Sequence, residues 1–247
     1  MSNSKNHTYK VRGELLELIT LLKKSIGTNT EMLSSMSNVE IRTHKASVSS
    51  FFRLFVQSLI ESHHLLLDLN DINLKVLPIS ENNKLKENLT YTRCQLNSIT
   101  SDSWDELPLN NSFKALISKS HLIITYVRPI DFGKLSSTER NEKIKIKHVL
   151  HWKASESELK MIGCDYDEIR NILLNNVTQK EILGNRKIII VDNIPKESQS
   201  KYVHIRPKAK NRDDIDEDYY LVYGKRLTKR SFYLNKSVIN RLINDEG

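Results

Sequence analysis

Cysteine, glycine and proline are all scarce in this 247-residue sequence. The two cysteines, Cys94 and Cys164, lie far apart and outside any CxxC pair, which excludes a disulfide framework or a zinc finger. Seven glycines and five prolines exclude collagen-like and low-complexity chains. No apolar run reaches the length of a membrane span, and the opening MSNSKNHTYK lacks the apolar segment of a secretory signal. We therefore expect a cytoplasmic protein with no membrane partner.

Positive charge is in excess. The chain carries 38 Lys and Arg against 30 Asp and Glu, a formal net charge of +8. A basic surface favours a polyanionic partner, because each cation near a phosphate releases a bound counterion. The hydrophobic fraction of 38% is sufficient for a core at this length.

Helical periodicity dominates the first quarter of the chain. Apolar residues predict a helix over residues 11–26 with Gly27 as its stop, and a long core helix over residues 46–67. The Ser-, Thr- and Asn-rich stretch 28–37 favours a loop. We predict a helical arm over residues 1–45, followed by one larger domain over residues 46–247.

Alternating polar and apolar residues follow. They predict a strand over 71–78, a hairpin turn at Asn82–Lys84 and a returning strand over 89–96. Further strands are predicted over the ranges 121–127, 143–152, 187–191 and 201–205. Ser155 and Glu158 form a capping-box pattern before a helix that ends near residue 174. The mixture predicts an α/β or α+β fold with a central mixed sheet flanked by helices.

The segment HIRPKAKN, residues 204–211, is the sharpest local pattern. A short strand delivers Arg206 and Lys208 into an irregular segment, where Pro207 cannot continue a strand ladder. Between residues 201 and 236 there are ten Lys or Arg against five acids, interleaved with Tyr and Phe. This composition is typical of a nucleic-acid surface and also of a solvated charged hairpin.

The same segment, with the later SFYLNKSVINRLI, resembles the C-terminal part of the MutH mismatch-repair nuclease and of the type II restriction endonucleases that cut at GATC. Upstream, INLKVLP resembles the strand of that family that carries its catalytic lysine. Glu87 follows Asn73 by fourteen residues (87 − 73), as in the family pattern. The stretches SWDE and SKSHLIITY match its Trp-acid loop and its lysine-preceded strand. The resemblance covers roughly residues 45–245.

The resemblance implies a restriction-endonuclease-like fold with a D…(D/E)xK site. In such a site two carboxylates hold Mg²⁺, which activates water, and a lysine assists. Lys75 matches that lysine. The carboxylate positions carry other residues here: Asn73 replaces the acid before the lysine, Leu66 the metal aspartate and Arg53 the helix glutamate. Lys75 is therefore expected to be vestigial, with no metal bound.

The resemblance also implies DNA contacts. Arg206, Pro207, Lys208 and Asn211 belong to the expected recognition loop, Tyr233 faces the same groove beside an adenine edge or its methyl group, and Glu87 accepts from a cytosine amino group. The expected phosphate contacts are Lys114, Lys119, Lys229 and Arg230.

The main hypothesis is a non-catalytic, sequence-specific binder of double-stranded DNA that contains GATC. The chain resembles the second, non-catalytic effector domain found in some restriction enzymes, and its stretch KENLTYT matches that domain well. The hypothesis allows a catalytic partner subunit. One alternative is a Mg²⁺-dependent endonuclease that uses relocated acids near Lys75, namely Asp68, Asp71 or Glu61. The other alternative is a protein-interaction subunit of a restriction complex.

Overall fold

The computed structural model describes residues 2–40, 47–85, 87–184, 187–211 and 213–246. These ranges contain both helices and strands, and the mixed α/β class predicted from the sequence is confirmed. In chain order they are α1 (Ser2–Lys23), α2 (Thr30–Ser37), α3 (Ser47–Ser62), β1 (Ile72–Ile79), β2 (Leu89–Cys94), α4 (Leu96–Ser101), α5 (Phe113–Ser118), β3 (Ser120–Val127), α6 (Ser137–Lys143), β4 (Ile146–Trp152), α7 (Glu156–Asn171), a π-helix (Ile172–Asn176), β5 (Gln179–Gly184), β6 (Lys187–Asp192), β7 (Val203–Pro207), α8 (Glu217–Tyr223), β8 (Arg230–Leu234) and α9 (Lys236–Asp245).

Two compact units divide the chain. Unit 1 comprises Met1–Glu87, Lys119–Lys153 and Asn240–Gly247, and unit 2 comprises Asn88–Ser118 and Ala154–Ile239. The boundary predicted between residues 45 and 46 lies outside the described residues, so that division stays a prediction. Among the described residues, no helix combines the length and the apolar character needed to cross a membrane.

Unit 1 is built on a three-stranded mixed sheet in the order β1-β3-β4. β1 and β3 run parallel, and β4 runs antiparallel to β3. One side of this sheet carries Leu74 and Leu122, which join Phe52 of α3 and Leu18 of α1 in a buried core. Burial of such side chains contributes roughly 1.5–3 kcal/mol each, which holds α3 against β1.

Unit 2 contains an antiparallel sheet in the order β2-β8-β7 and the separate hairpin β5-β6. Phe232 of β8 stacks on Phe113 of α5, with ring centroids 3.9 Å apart. α7 begins at the predicted capping box, where the Ser155 side chain accepts from the Glu158 amide and the Glu158 carboxylate accepts from the Ser155 amide.

Two local predictions are wrong. Residues 30–37 form α2 and not a loop, because the Asn29 side chain caps the Met32 amide and Leu33 is fully buried. The predicted hairpin between β1 and β2 is also absent: β1 pairs with β3 and β2 pairs with β8. A turn does form, since the Ser80 amide donates to the Lys84 carbonyl over 2.9 Å, but the two strands that it joins do not pair.

Candidate nucleic-acid interface

The register of unit 2 brings the cations of two strands into one row. In an antiparallel pair, directly opposed residues point to the same side of the sheet. Arg206 on β7 is opposite Ser231 on β8, and Ser231 is opposite Arg93 on β2. His204 is opposite Tyr233 in the adjacent row. Sequence reasoning missed Arg93, because a register shift in β2 sets its position and leaves no local pattern.

Two exposed cations lie over one buried aromatic ring. Tyr233 is 8% exposed, whereas Arg206 and Lys208 are exposed. The guanidinium carbon of Arg206 lies 5.3 Å from the Tyr233 ring centroid, and the Lys208 ammonium lies 5.9 Å from it. Contacts of this kind stabilise by about 0.5–1 kcal/mol at exposed sites. The ring therefore restrains both charged groups while they remain open to solvent.

α7 anchors the start of β7. The buried carboxylate of Asp165 accepts from the amides of Lys201 over 3.2 Å, Tyr202 over 2.7 Å and Val203 over 3.0 Å. Hydrogen bonds to a charged acceptor contribute about 1.5–3 kcal/mol each. The strand that carries Arg206 is thereby fixed to a long helix, a role that nothing in the sequence pattern of Asp165 indicated.

A buried polar network supports the same strand. The Asn235 side-chain oxygen lies 2.5 Å from His204 Nδ1, and the Asn88 amide lies 3.5 Å from His204 Nε2. The same Asn88 amide donates to Glu197 over 2.8 Å. Burial lowers the pKa of His204, so the ring is neutral and suits one donor and one acceptor. His204 lies beside Tyr233 with ring centroids 5.7 Å apart and holds that ring in place.

The end of residues 204–211, the recognition segment, is held by a backbone hydrogen bond and by the Asn211 side chain. The Lys208 amide donates to the Lys229 carbonyl over 2.8 Å, which resumes strand pairing directly after Pro207. Asn211 accepts from the amides of Asp213 and Asp214 over 3.1 and 3.0 Å. Asn211 therefore shapes the turn after the recognition segment.

The side chains of unit 2 that are predicted to contact phosphates differ in how accessible their charged groups are. The Lys229 ammonium pairs with Asp214 over 2.6 Å and remains 44% exposed. The Lys114 ammonium donates to the Trp104 carbonyl over 2.9 Å and lies 5.4 Å from the Trp104 ring centroid. Arg230 is 4% exposed and forms an ion pair with Asp192. The Arg230 guanidinium is therefore buried and not accessible to a phosphate in this structure.

Unit 1 holds the other predicted residues. The Lys119 ammonium donates to the Asn70 carbonyl over 2.7 Å. Glu87 is exposed and lies 3.6 Å from Arg128. The predicted DNA-binding residues are thus distributed over two units, with Glu87 and Lys119 in unit 1 and the rest in unit 2.

Polar side chains around Lys75 share one side of the unit 1 sheet. Asn73 is opposite His121, and its amide nitrogen lies 3.2 Å from His121 Nε2. His121 is in turn opposite Trp152, with ring centroids 4.9 Å apart. Lys75 is two residues beyond Asn73 on the same strand and therefore points to the same side.

Arg53 adds a second positive charge beside Lys75. Its guanidinium donates to the Leu74 carbonyl over 3.1 Å. Burial and the Arg53 charge together lower the pKa of Lys75 to about 8. Burial, followed by the Lys75 charge, lowers the pKa of His121 to about 3. The local field thus disfavours a further cation.

The acids proposed as substitutes have other contacts. Asp68 accepts from the Asn70 amide over 2.7 Å and so shapes the turn before β1. Glu61, exposed near the end of α3, accepts from the Gln57 amide over 2.7 Å, and Asp71 is exposed ahead of β1. Leu66, at the aspartate position of the family pattern, is 69% exposed.

The side chains around Lys75 do not fit Mg²⁺. This ion requires oxygen ligands, usually carboxylates, whereas Arg53 and Lys75 offer only N–H groups and positive charge. Within the described ranges, no group of three or more His, Cys, Asp or Glu is arranged to hold a metal ion.

Comparison with known proteins adds no assignment. No protein-family model matches the chain, and no curated protein matches it.

Proposed function

We propose that this protein is a sequence-specific binder of double-stranded DNA with a restriction-endonuclease-like, MutH-like fold and without the family's metal-dependent cleavage. It acts as the recognition or effector component of a cytoplasmic restriction system. The observation that carries the proposal is the placement of exposed Arg206 and Lys208 over the ring of Tyr233.

The chemistry of these groups matches the edges of DNA. A guanidinium forms two parallel hydrogen bonds to guanine O6 and N7 in the major groove, and an ammonium binds a phosphate as a point charge. Restraint on Tyr233 reduces the rotamer entropy that Arg206 loses on binding. Arg93, on the other side of Ser231 in the same row, adds a further charge to that side of the sheet. A GATC duplex is the substrate that the resemblance implies.

Binding to short labelled duplexes, measured by fluorescence anisotropy in EDTA, tests the proposal. One duplex contains GATC and the other contains the same bases in shuffled order. We expect tighter binding to the GATC duplex and a steep loss of affinity with added salt for both. Equal affinity for the two duplexes removes the claim of sequence specificity. Absence of binding, together with stable co-purification of a protein partner, favours the interaction subunit.

The endonuclease alternative has its own assay. GATC-containing plasmid is incubated with the pure protein and Mg²⁺ or Mn²⁺, beside Lys75→Ala. Cutting that requires the metal and disappears in Lys75→Ala contradicts the non-catalytic proposal; intact plasmid supports it.

A further inference from the structure

A pocket of about 760 Å³ lies beside β2, and all of its lining residues belong to unit 2. We call it the edge pocket, because β2 is an outer strand of the sheet β2-β8-β7. Its volume is within the roughly 300–1,000 Å³ that is usual for small-molecule sites. The pocket can therefore enclose a ligand the size of a nucleotide.

Two cations lie at the mouth of the edge pocket. Arg93 and Lys229 both line it, and both meet solvent, since Arg93 is exposed and the Lys229 side chain is 44% exposed. Both also belong to the basic surface that the proposed function assigns to DNA. Arg93 is opposite Ser231 in the row that contains Arg206, and the Lys229 carbonyl accepts from the Lys208 amide. A phosphate bound to that surface can thus lie at the entrance of the pocket.

Aromatic rings form the apolar wall of the edge pocket. Phe113 stacks on Phe232 with ring centroids 3.9 Å apart, and the Tyr166 ring lies 5.9 Å from that of Phe232. All three residues line the pocket, and each is at most 6% exposed, so neighbouring groups hold them in place. A wall of this kind suits a flat aromatic ligand, because nucleobases bind single-strand sites largely by contact with aromatic side chains.

Carboxylates complete the lining of the edge pocket, namely those of Asp102, Glu217 and Asp218. The Tyr166 hydroxyl donates to the Asp102 carbonyl over 3.4 Å, which places Asp102 beside the aromatic wall. Asp216 lines the pocket too, but its two oxygens already accept from the amides of Leu96 and Tyr219. Carboxylates accept hydrogen bonds and repel phosphates. The occupant should therefore place N–H donors inside and negative charge at the mouth.

We propose that the edge pocket receives a nucleobase with an exocyclic amino group, turned out of the bound duplex. The inference rests on the proposed function, which supplies the duplex. Arg93 and Lys229 bind the phosphates beside that base, the aromatic wall contacts its ring, and Asp102 accepts from its amino group. A paired base inside the stack cannot reach a pocket, so the nucleotide must rotate out of the helix. Adenine, cytosine and guanine carry such an amino group, whereas thymine does not.

Deoxynucleoside monophosphates test the pocket without a duplex. Calorimetric titrations of the full chain in EDTA compare dAMP, dCMP and dGMP with dTMP. At least one amino-bearing nucleotide should bind about tenfold more tightly than dTMP, since a hydrogen bond to a charged acceptor is gained. Ser98→Trp fills the pocket from α4 and should abolish this binding. Ser198→Trp adds the same ring at an exposed position of unit 2 outside the pocket and should bind as wild type does.

A second variant retains the shape of the pocket. Asp102→Asn replaces an acceptor-only carboxylate by an amide of the same size, so the preference over dTMP should fall to about twofold or less. Asp213→Asn, at an exposed position outside the pocket, should keep the full preference. If Ser98→Trp is unfolded in circular dichroism, this pair of variants decides.

Duplexes with one abasic position provide the second arm, because the base opposite the gap is unpaired and turns out more easily. Removing the partner of adenine, cytosine or guanine within GATC should, at one position at least, tighten binding about tenfold. Ser98→Trp should lose that gain and Ser198→Trp should keep it. Nucleotide binding without any such gain overturns the rotation of a base out of the helix.

The two arms separate this inference from the proposed function. If wild type and Ser98→Trp respond alike in both arms while the intact GATC duplex is still preferred, the pocket assignment is wrong and the proposed function stands. If the monophosphates bind with the expected preference but no duplex binds, the pocket stands as a nucleotide site and the proposed function is wrong.

Discussion

The guanidinium carbon of Arg206 lies 5.3 Å from the centroid of the Tyr233 ring, although the two residues are on different strands. Tyr233 is buried and packs beside His204, whose ring is held by Asn235. The position of one exposed cation is thus linked to a buried hydrogen-bond network. Loss of any member of this series should disturb the guanidinium.

Replacing Arg206 should reduce discrimination between DNA sequences. Arg206→Ala removes the group expected to bond a base edge, so the ratio of affinities for GATC and shuffled duplexes should fall about tenfold. Anisotropy titrations of both duplexes measure the ratio. Arg226→Ala removes an exposed arginine of the same unit and should leave the ratio unchanged. A uniform loss of affinity in Arg206→Ala would show that this side chain contacts only the backbone of DNA.

Lysines near the recognition segment should act on all duplexes alike. Lys208→Ala and Lys229→Ala should each weaken binding to GATC and shuffled duplexes about equally and lower the salt slope by up to about 1. The decrease in the salt slope should be smaller for Lys229→Ala, because Asp214 already pairs with the Lys229 ammonium. The same hydrogen bond lowers the pKa of the Asp214 carboxyl. Titrations at several salt concentrations give the slopes. A larger slope change for Lys229 than for Lys208 would contradict this order.

Asp192 should matter for stability. Arg230 is 4% exposed and pairs with Asp192, so Asp192→Ala leaves a buried guanidinium without its counter-charge. Removing one partner of a buried pair costs about 3–5 kcal/mol. Urea unfolding measures the loss, with Asp213→Ala as the exposed control. If both variants unfold alike, Arg230 is not held by this pair and its predicted phosphate contact regains support.

Lys75→Met should stabilise the protein at neutral pH. The pKa of Lys75 is about 8 in the folded chain against an ordinary value of 10.5. Below pH 8 the lysine is charged in both states, and the folded state bears the full desolvation cost, on the order of 1–3 kcal/mol. Between pH 8 and 10.5 the folded state loses its proton first, so wild-type stability rises and the advantage of Lys75→Met shrinks. Unfolding curves of wild type and Lys75→Met across this pH range measure the difference between their free energies of unfolding. A difference in favour of Lys75→Met that grows with pH would contradict the lowered pKa of Lys75.

Elements with strong local signals were predictable from the sequence. The apolar period of α3, the alternation in β1 and the capping box at Ser155 depend on neighbouring residues only, and each appears in the structure close to its predicted position. The pairing of β1 with β3 depends on contacts far apart in sequence, and the turn signal at Asn83 therefore misled the hairpin prediction.

Of the candidate site, the residues in local motifs were predictable from the sequence, and those placed by distant partners were not. Arg206, Lys208 and Tyr233 were identified from a motif, and they do lie together. The burial of Arg230, the anchoring role of Asp165 and the position of Arg93 required coordinates, because each is determined by a partner distant in the chain.

Binding of a GATC duplex in EDTA, compared with binding in Mg²⁺ at the same ionic strength, tests the central claim most directly. Because Asn73, Leu66 and Arg53 stand at the positions where the family pattern has carboxylates, we predict that the duplex stays uncut after prolonged incubation. We also predict that binding is at least as tight in EDTA as in Mg²⁺, which competes for the DNA phosphates. Binding that requires Mg²⁺, or cleavage in its presence, would contradict the account.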